Sequence, residues 1–118
     1  MPPFNPSIGQ VSLYPLATNK ATISFGLTGG NNATGQSIAY LRWVLFAYCG
    51  WNGTAGKQNL CPSANWGPWT FSANVAVGLK GIQALFGLPQ NGIASHVVAP
   101  GETQSTWDAV DAIWAFNN

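Results

Sequence analysis

The stretch that decides the fold runs from Phe71 to Trp107 and reads FSANVAVGLKGIQALFGLPQNGIASHVVAPGETQSTW. Ser72 is an N-cap type residue, and Val75, Leu79, Ile82 and Phe86 follow it at the spacing of one helical face. Gly87 and Pro89 close that helix, the glycine by supplying a left-handed cap and the proline because it cannot continue one. Asn91-Gly92 marks a tight turn, and Ile93 to Ala99 is expected to be a short extended segment. A further helix opens at Thr103 or Ser105, with Glu102 and Asp108 near its positive end and Trp107, Val110 and Trp114 on its apolar face. Gly78 and Gly81 each cost the earlier helix about 1 kcal/mol relative to alanine, which makes sense mainly where another backbone comes close.

Working outward, another helix starts near Thr34 or Ser37 and ends at Gly50. Ile38, Leu41, Leu45 and Tyr48 form one face of it, and Trp43 and Phe46 widen that face. From Trp51 to Thr70 the chain is a loop rich in Gly, Asn and Pro that carries Trp51, Trp66 and Trp69. Residues 1–34 differ from the rest: Pro2, Pro3, Pro6 and Pro15 exclude helix, while Val11 and Leu13, then Ile23, Phe25 and Leu27, alternate as half-buried strands do. The expected fold class is therefore mainly α: a three-helix body over 35–118 with an extended N-terminal arm over 1–34 containing two short β-strands. A two-stranded hairpin is marginal alone, so the arm needs the body or another chain to pack against.

Composition narrows the functions. The 118 residues suffice for one domain with a real core. Charged residues are 6% of the chain against about 25% in an ordinary soluble domain. Lys20, Arg42, Lys57 and Lys80 are scattered and the net charge is +1, so no basic patch exists to neutralise a run of phosphates, and nucleic acid is excluded as a partner. Net charge near zero also favours association. The longest apolar run, 38–51, is interrupted by Arg42 and is shorter than the roughly 20 residues a membrane span needs. The N-terminus has neither the basic nor the apolar region of a signal peptide.

Cys49 and Cys61 flank an Asn/Gly-rich loop. A disulfide closing it in an oxidising setting would contribute about 2–3 kcal/mol, whereas a reducing cytosol would leave two thiols. Two cysteines and the single His96 do not make a four-ligand zinc site, and neither a metal nor a cofactor is expected. The acids are Glu102, Asp108 and Asp111 alone, all in or beside the last helix, where they serve as dipole partners rather than as carboxylates facing each other across a substrate. His96 sits beside Ser95 with no signal for an orienting acid. No enzyme is expected.

The helix over Ala76 to Gln83, the Gly87-Leu88 stop, the turn Asn91-Gly92-Ile93-Ala94 and the Thr106-Trp107 opening of the last helix resemble the peptidoglycan-binding-domain-1 family, a small three-helix fold. The resemblance spans about residues 35–116. It departs from the family pattern at Asn91, which replaces an Asp, and at Ser95 to Glu102, which lengthens the connection before the last helix. What it implies is binding of a cell-wall glycan or its stem peptide. Such a ligand needs flat aromatic faces and neutral amide or hydroxyl partners, and the loops offer Trp51, Trp66 and Trp69 with Asn65, Asn91 and Gln104.

A wall-binding module must reach the outside, and a bacteriophage product does so by lysis. The low charge and apolar arm suit a chain packed against neighbours. The expectation is thus a non-enzymatic virion accessory protein, of decoration or minor capsid type, with a peptidoglycan-binding-like body. Its arm, through Phe4, Val11, Leu13, Ile23, Phe25 and Leu27, would dock on another virion protein or a copy of itself. The alternative is a free-standing or lysin-derived wall-binding module, located at the cell wall. An arm extended from the body favours the first, and an arm folded back onto it favours the second.

Overall fold

The computed structural model describes residues 20–30, 32–50 and 69–117, without the side chains of residues 46 and 47. The chain is a mainly α domain of three helices with two short antiparallel strands. In chain order these are β1 (Thr28–Gly29), α1 (Ala33–Cys49), β2 (Trp69–Thr70), α2 (Ala73–Leu85) and α3 (Thr106–Phe116). β1 pairs with β2 in the register Thr28 to Thr70 and Gly29 to Trp69.

Each helix begins on a side chain able to accept from an orphan N–H. Asn32 Oδ1 accepts from Gly35 N at 2.8 Å, so α1 starts at Ala33, ahead of the expected Thr34 or Ser37. Ser72 caps α2 as expected. Ser105 and Asp108 form a reciprocal capping box on α3: Asp108 N donates to Ser105 Oγ at 3.1 Å, and Ser105 N to Asp108 Oδ2 at 2.9 Å. α1 ends on Gly50, left-handed at φ 72°. α2 ends in a Schellman motif, with Leu88 N donating to Gln83 O at 2.8 Å, Gly87 N to Ala84 O at 3.1 Å, and Gly87 at φ 70°.

α1 is the central element. Ser37 through Leu45 are buried without interruption, Arg42 included, as befits a helix apolar on most of its circumference. α2 adds Val75, Leu79 and Ile82 to this core, and α3 adds Trp107, Val110 and Ile113. The close backbone approach expected at Gly81 is not there, since nothing lies within 4 Å of where its Cβ would be. It occurs instead at Gly35, where a methyl would collide with Gly30 O and the Gly29 backbone. The Gly29-Gly30 loop thus lies directly on the first turn of α1.

Residues 20–30 are part of the body rather than an arm held away from it. Ile23 is fully buried and exchanges backbone hydrogen bonds with Ala94 at 3.0 and 2.9 Å. Gly26 N donates to Phe71 O at 3.0 Å, and Phe71 N to Leu27 O at 2.9 Å, continuing the β1–β2 ladder. Ala21 N donates to Ser37 Oγ at 2.9 Å, and Trp107 Nε1 to Ala21 O at 3.0 Å. Ser37, expected near the start of the helix, lies inside α1, and its hydroxyl fastens this segment to the second turn. Phe4, Val11, Leu13 and the remainder of residues 1–19 lie outside the described residues.

Candidate functional site

The turn after α2 is built on one buried amide. Gln83 is fully buried, and its Nε2 faces Asn91 Oδ1 at 2.8 Å, Thr106 Oγ1 at 3.0 Å and Ile93 O at 3.2 Å. Its Oε1 accepts from Gly92 N at 3.0 Å. Asn91 Oδ1 also accepts from Ile93 N at 3.0 Å, which closes an Asx turn and fixes the orientation of the Asn91 amide, because both donors need the oxygen. Asn91 Nδ2 is left without a protein acceptor among the described residues. Asn is therefore as well suited as Asp to this turn, and it adds an outward donor.

The ridge Asn91–Ile93 separates two concavities. On one side a cleft of about 70 Å³ is lined by Asn91, Ile93, Ser95, Glu102 and Gln104 among others. On the other a groove of about 440 Å³ is lined by Ser24, Phe25, Ala76, Val77, Lys80 and Ile93. Phe25 is carried into the groove by a β-turn in which Leu27 N donates to Ser24 O at 3.2 Å, with Gly26 at φ 97° as a type II turn requires. Phe25 is 66% exposed and offers a flat apolar ring to the groove.

Of the residues singled out from sequence, the structure brings Asn91 and Gln104 to one cleft. Trp69 does not join them. It is 2% exposed, with the Arg42 guanidinium 5.7 Å above its ring, so it is a core residue rather than a platform. Trp51, Trp66, Asn65 and Cys61 lie outside the described residues. Cys49 is a free, exposed cysteine whose thiol pKa is raised by partial burial. Ile23 belongs to the core, so it is not a free docking contact of an arm, while Leu27 joins the ladder through its backbone and keeps its side chain exposed. Phe25, an expected docking contact of the arm, lines a groove of the body with Val77 and Lys80, a grouping that no local pattern reports because residues 24 and 25 meet α2 only through the tertiary fold.

Two further features bear on chemistry. Lys20 is buried between α1 and α3, its Nζ 2.8 Å from Asp111 Oδ1 and 4.9 Å from the centre of the Tyr40 ring. Tyr40 Oη donates to Asp111 Oδ1 at 2.9 Å, and the His96 ring meets the Lys20 carbonyl at 2.8 Å. Burial pulls the Lys20 pKa down, and its hydrogen bond to Asp111 opposes that only in part. The second feature is an apolar groove of about 850 Å³ between the C-terminal ends of the three helices. Gly78, Gly81 and Ile82 line it together with Leu85 and Phe116, which are 75% and 90% exposed.

Among the described residues, the fold and its surface define a small mainly α domain that carries a ridge flanked by two concavities and an apolar groove. No family model, curated protein or solved structure matches the chain. No helix among the described residues is long and apolar enough to cross a membrane.

Proposed function

We propose that the chain is a non-enzymatic binding module that meets a peptidoglycan-like, amide- and hydroxyl-bearing polymer along the Asn91–Ile93 ridge, and so works at the bacterial cell wall. The observation that carries this is the exposed Phe25 ring in a groove shared with the Asn91 amide. A sugar ring needs one apolar face to rest on and neutral polar groups beside it. Folding of residues 20–30 onto the body favours a free module over an arm reaching for a shell. Two of the three acids are already engaged, Asp108 in the α3 cap and Asp111 with Lys20, which weighs against a paired-carboxylate hydrolase.

The test is retention of the purified full chain on cell-wall sacculi. Wild-type protein should be retained, Phe25→Ala and Gln104→Ala should be retained less, and a wild-type chain that washes through would end the proposal.

The apolar groove supports a second reading, that of a bacteriophage virion accessory protein docking on a neighbouring chain or a copy of itself. Exposed Leu85 and Phe116 beside an uncharged concavity resemble the apolar centre of an interface. Sedimentation at rising concentration, compared between wild type and Phe116→Asp, checks self-docking; association lost in the variant is the outcome this reading requires.

A further inference from the structure

We infer that the Phe25–Lys80 groove selects a ligand bearing a free carboxylate beside its ring and amide, an N-acetylated sugar acid that carries no stem peptide, rather than a neutral N-acetylated sugar; this rests on the wall-binding reading above. The chain's cations are Lys20, Arg42, Lys57 and Lys80. Lys20 is ion-paired with Asp111. Arg42 is spent within the fold, donating to Thr70 O at 3.1 Å and lying over Trp69. Lys57 lies outside the described residues. Lys80 alone of the described cations is exposed and has neither an ion-pair nor a hydrogen-bond partner among the described residues, and it lines the groove.

Its placement is built. A methyl at Gly92 would meet Lys80 Cε at 3.1 Å and Cγ at 3.8 Å, so the bare glycine leaves the surface across which the lysine stem lies. The stem therefore runs along the turn that Gln83 holds, next to Asn91, whose Nδ2 is an open donor. A flat apolar face at Phe25, a neutral donor at Asn91 and the ammonium of Lys80, unpaired among the described residues, thus share one concavity. Their complement is a ring with an apolar face, a carbonyl and an anion. A lysine ammonium presented as a point charge on a flexible stem suits a single carboxylate.

N-acetylmuramic acid and N-acetylglucosamine are matched probes, since they share ring and acetamido group and differ in the lactyl carboxylate. Each is titrated into the full chain while backbone amide resonances are followed. The acid should shift the Phe25, Gly92 and Ile93 amides and bind roughly two- to fivefold tighter than the neutral sugar, the range of an exposed charge pair. Added salt should erase that margin. Lys80→Gln should remove the preference and Lys80→Arg should keep it. Equal binding of both sugars to wild type, or a preference that survives Lys80→Gln, overturns the inference while leaving the glycan site standing. If neither sugar shifts those amides the inference falls as well, and retention on sacculi then decides the wall-binding reading separately.

Discussion

At the scale of single residues, Gln83 and Lys20 show opposite ways of burying polarity. All of Gln83's polar atoms find partners inside the fold, so removing it orphans Gly92 N and Thr106 Oγ1 at once. Gln83→Leu is expected to lower stability by about 2–3 kcal/mol in urea unfolding, despite being apolar and of similar size. Lys20 keeps its charge under cover at a cost. Its folded pKa lies below the ordinary 10.5, so the unfolded chain holds the proton more tightly. Between those two values the unfolded state binds more protons, and stability rises with pH. Compared with Lys20→Met, the wild type should therefore gain stability as pH climbs toward 10.5, read as the pH dependence of the difference in urea midpoint. A flat difference would mean that the Asp111 pair offsets the whole burial cost.

Among the elements, caps and stops were legible in the sequence because they are local. Ser72, Ser105 with Asp108, Gly50 and Gly87 each satisfy backbone groups within a few residues of themselves. The two helix glycines were not legible in the same way. Glycine spacing in α2 suggested a crossing backbone, yet the crossing is at Gly35 of α1, and Gly81 faces open space. Gly81→Ala should consequently stabilise the chain by about 0.5–1 kcal/mol, the ordinary propensity gain at an exposed helix interior. Thermal unfolding measures it; a loss of stability would place an unseen neighbour against that position. If the groove beside Gly81 docks another chain, the same variant should weaken association while raising the melting temperature.

For the molecule as a whole, the decisive contacts are between segments far apart in sequence. Lys20 meets Asp111, Ala21 meets Ser37 and Trp107, and Ile23 meets Ala94. A chain cut back to begin at residue 35 loses all of these together with β1 and the Asn32 cap, and is expected to lose cooperative unfolding. A chain that begins at Lys20 keeps each of them and should melt cooperatively. Circular dichroism on the two truncations checks this, and a cooperative melt from the shorter one would return residues 20–34 to the status of a dispensable arm. Full burial of the Ile23 side chain makes that outcome costly, since Ile→Ala alone at such a site costs about 2–5 kcal/mol.

Local pattern was enough for three helices, the Ser72 and Ser105 caps, the stops at Gly50 and Gly87 and the turn at Asn91-Gly92, because capping, periodicity and turn chemistry act over a handful of neighbouring residues; the Asn32 cap of α1 came only with the structure. The sequence by itself also determined that charge would be scarce and that its acids would gather in or beside the last helix. Tertiary structure alone decided that Trp69 is core and Phe25 is surface, that β1 pairs with β2, and that Lys80 is the exposed cation left unpaired among the described residues. Whether an aromatic ring or an ammonium faces water depends on what the rest of the chain folds against it, and pairings spanning tens of residues leave no mark in a local pattern.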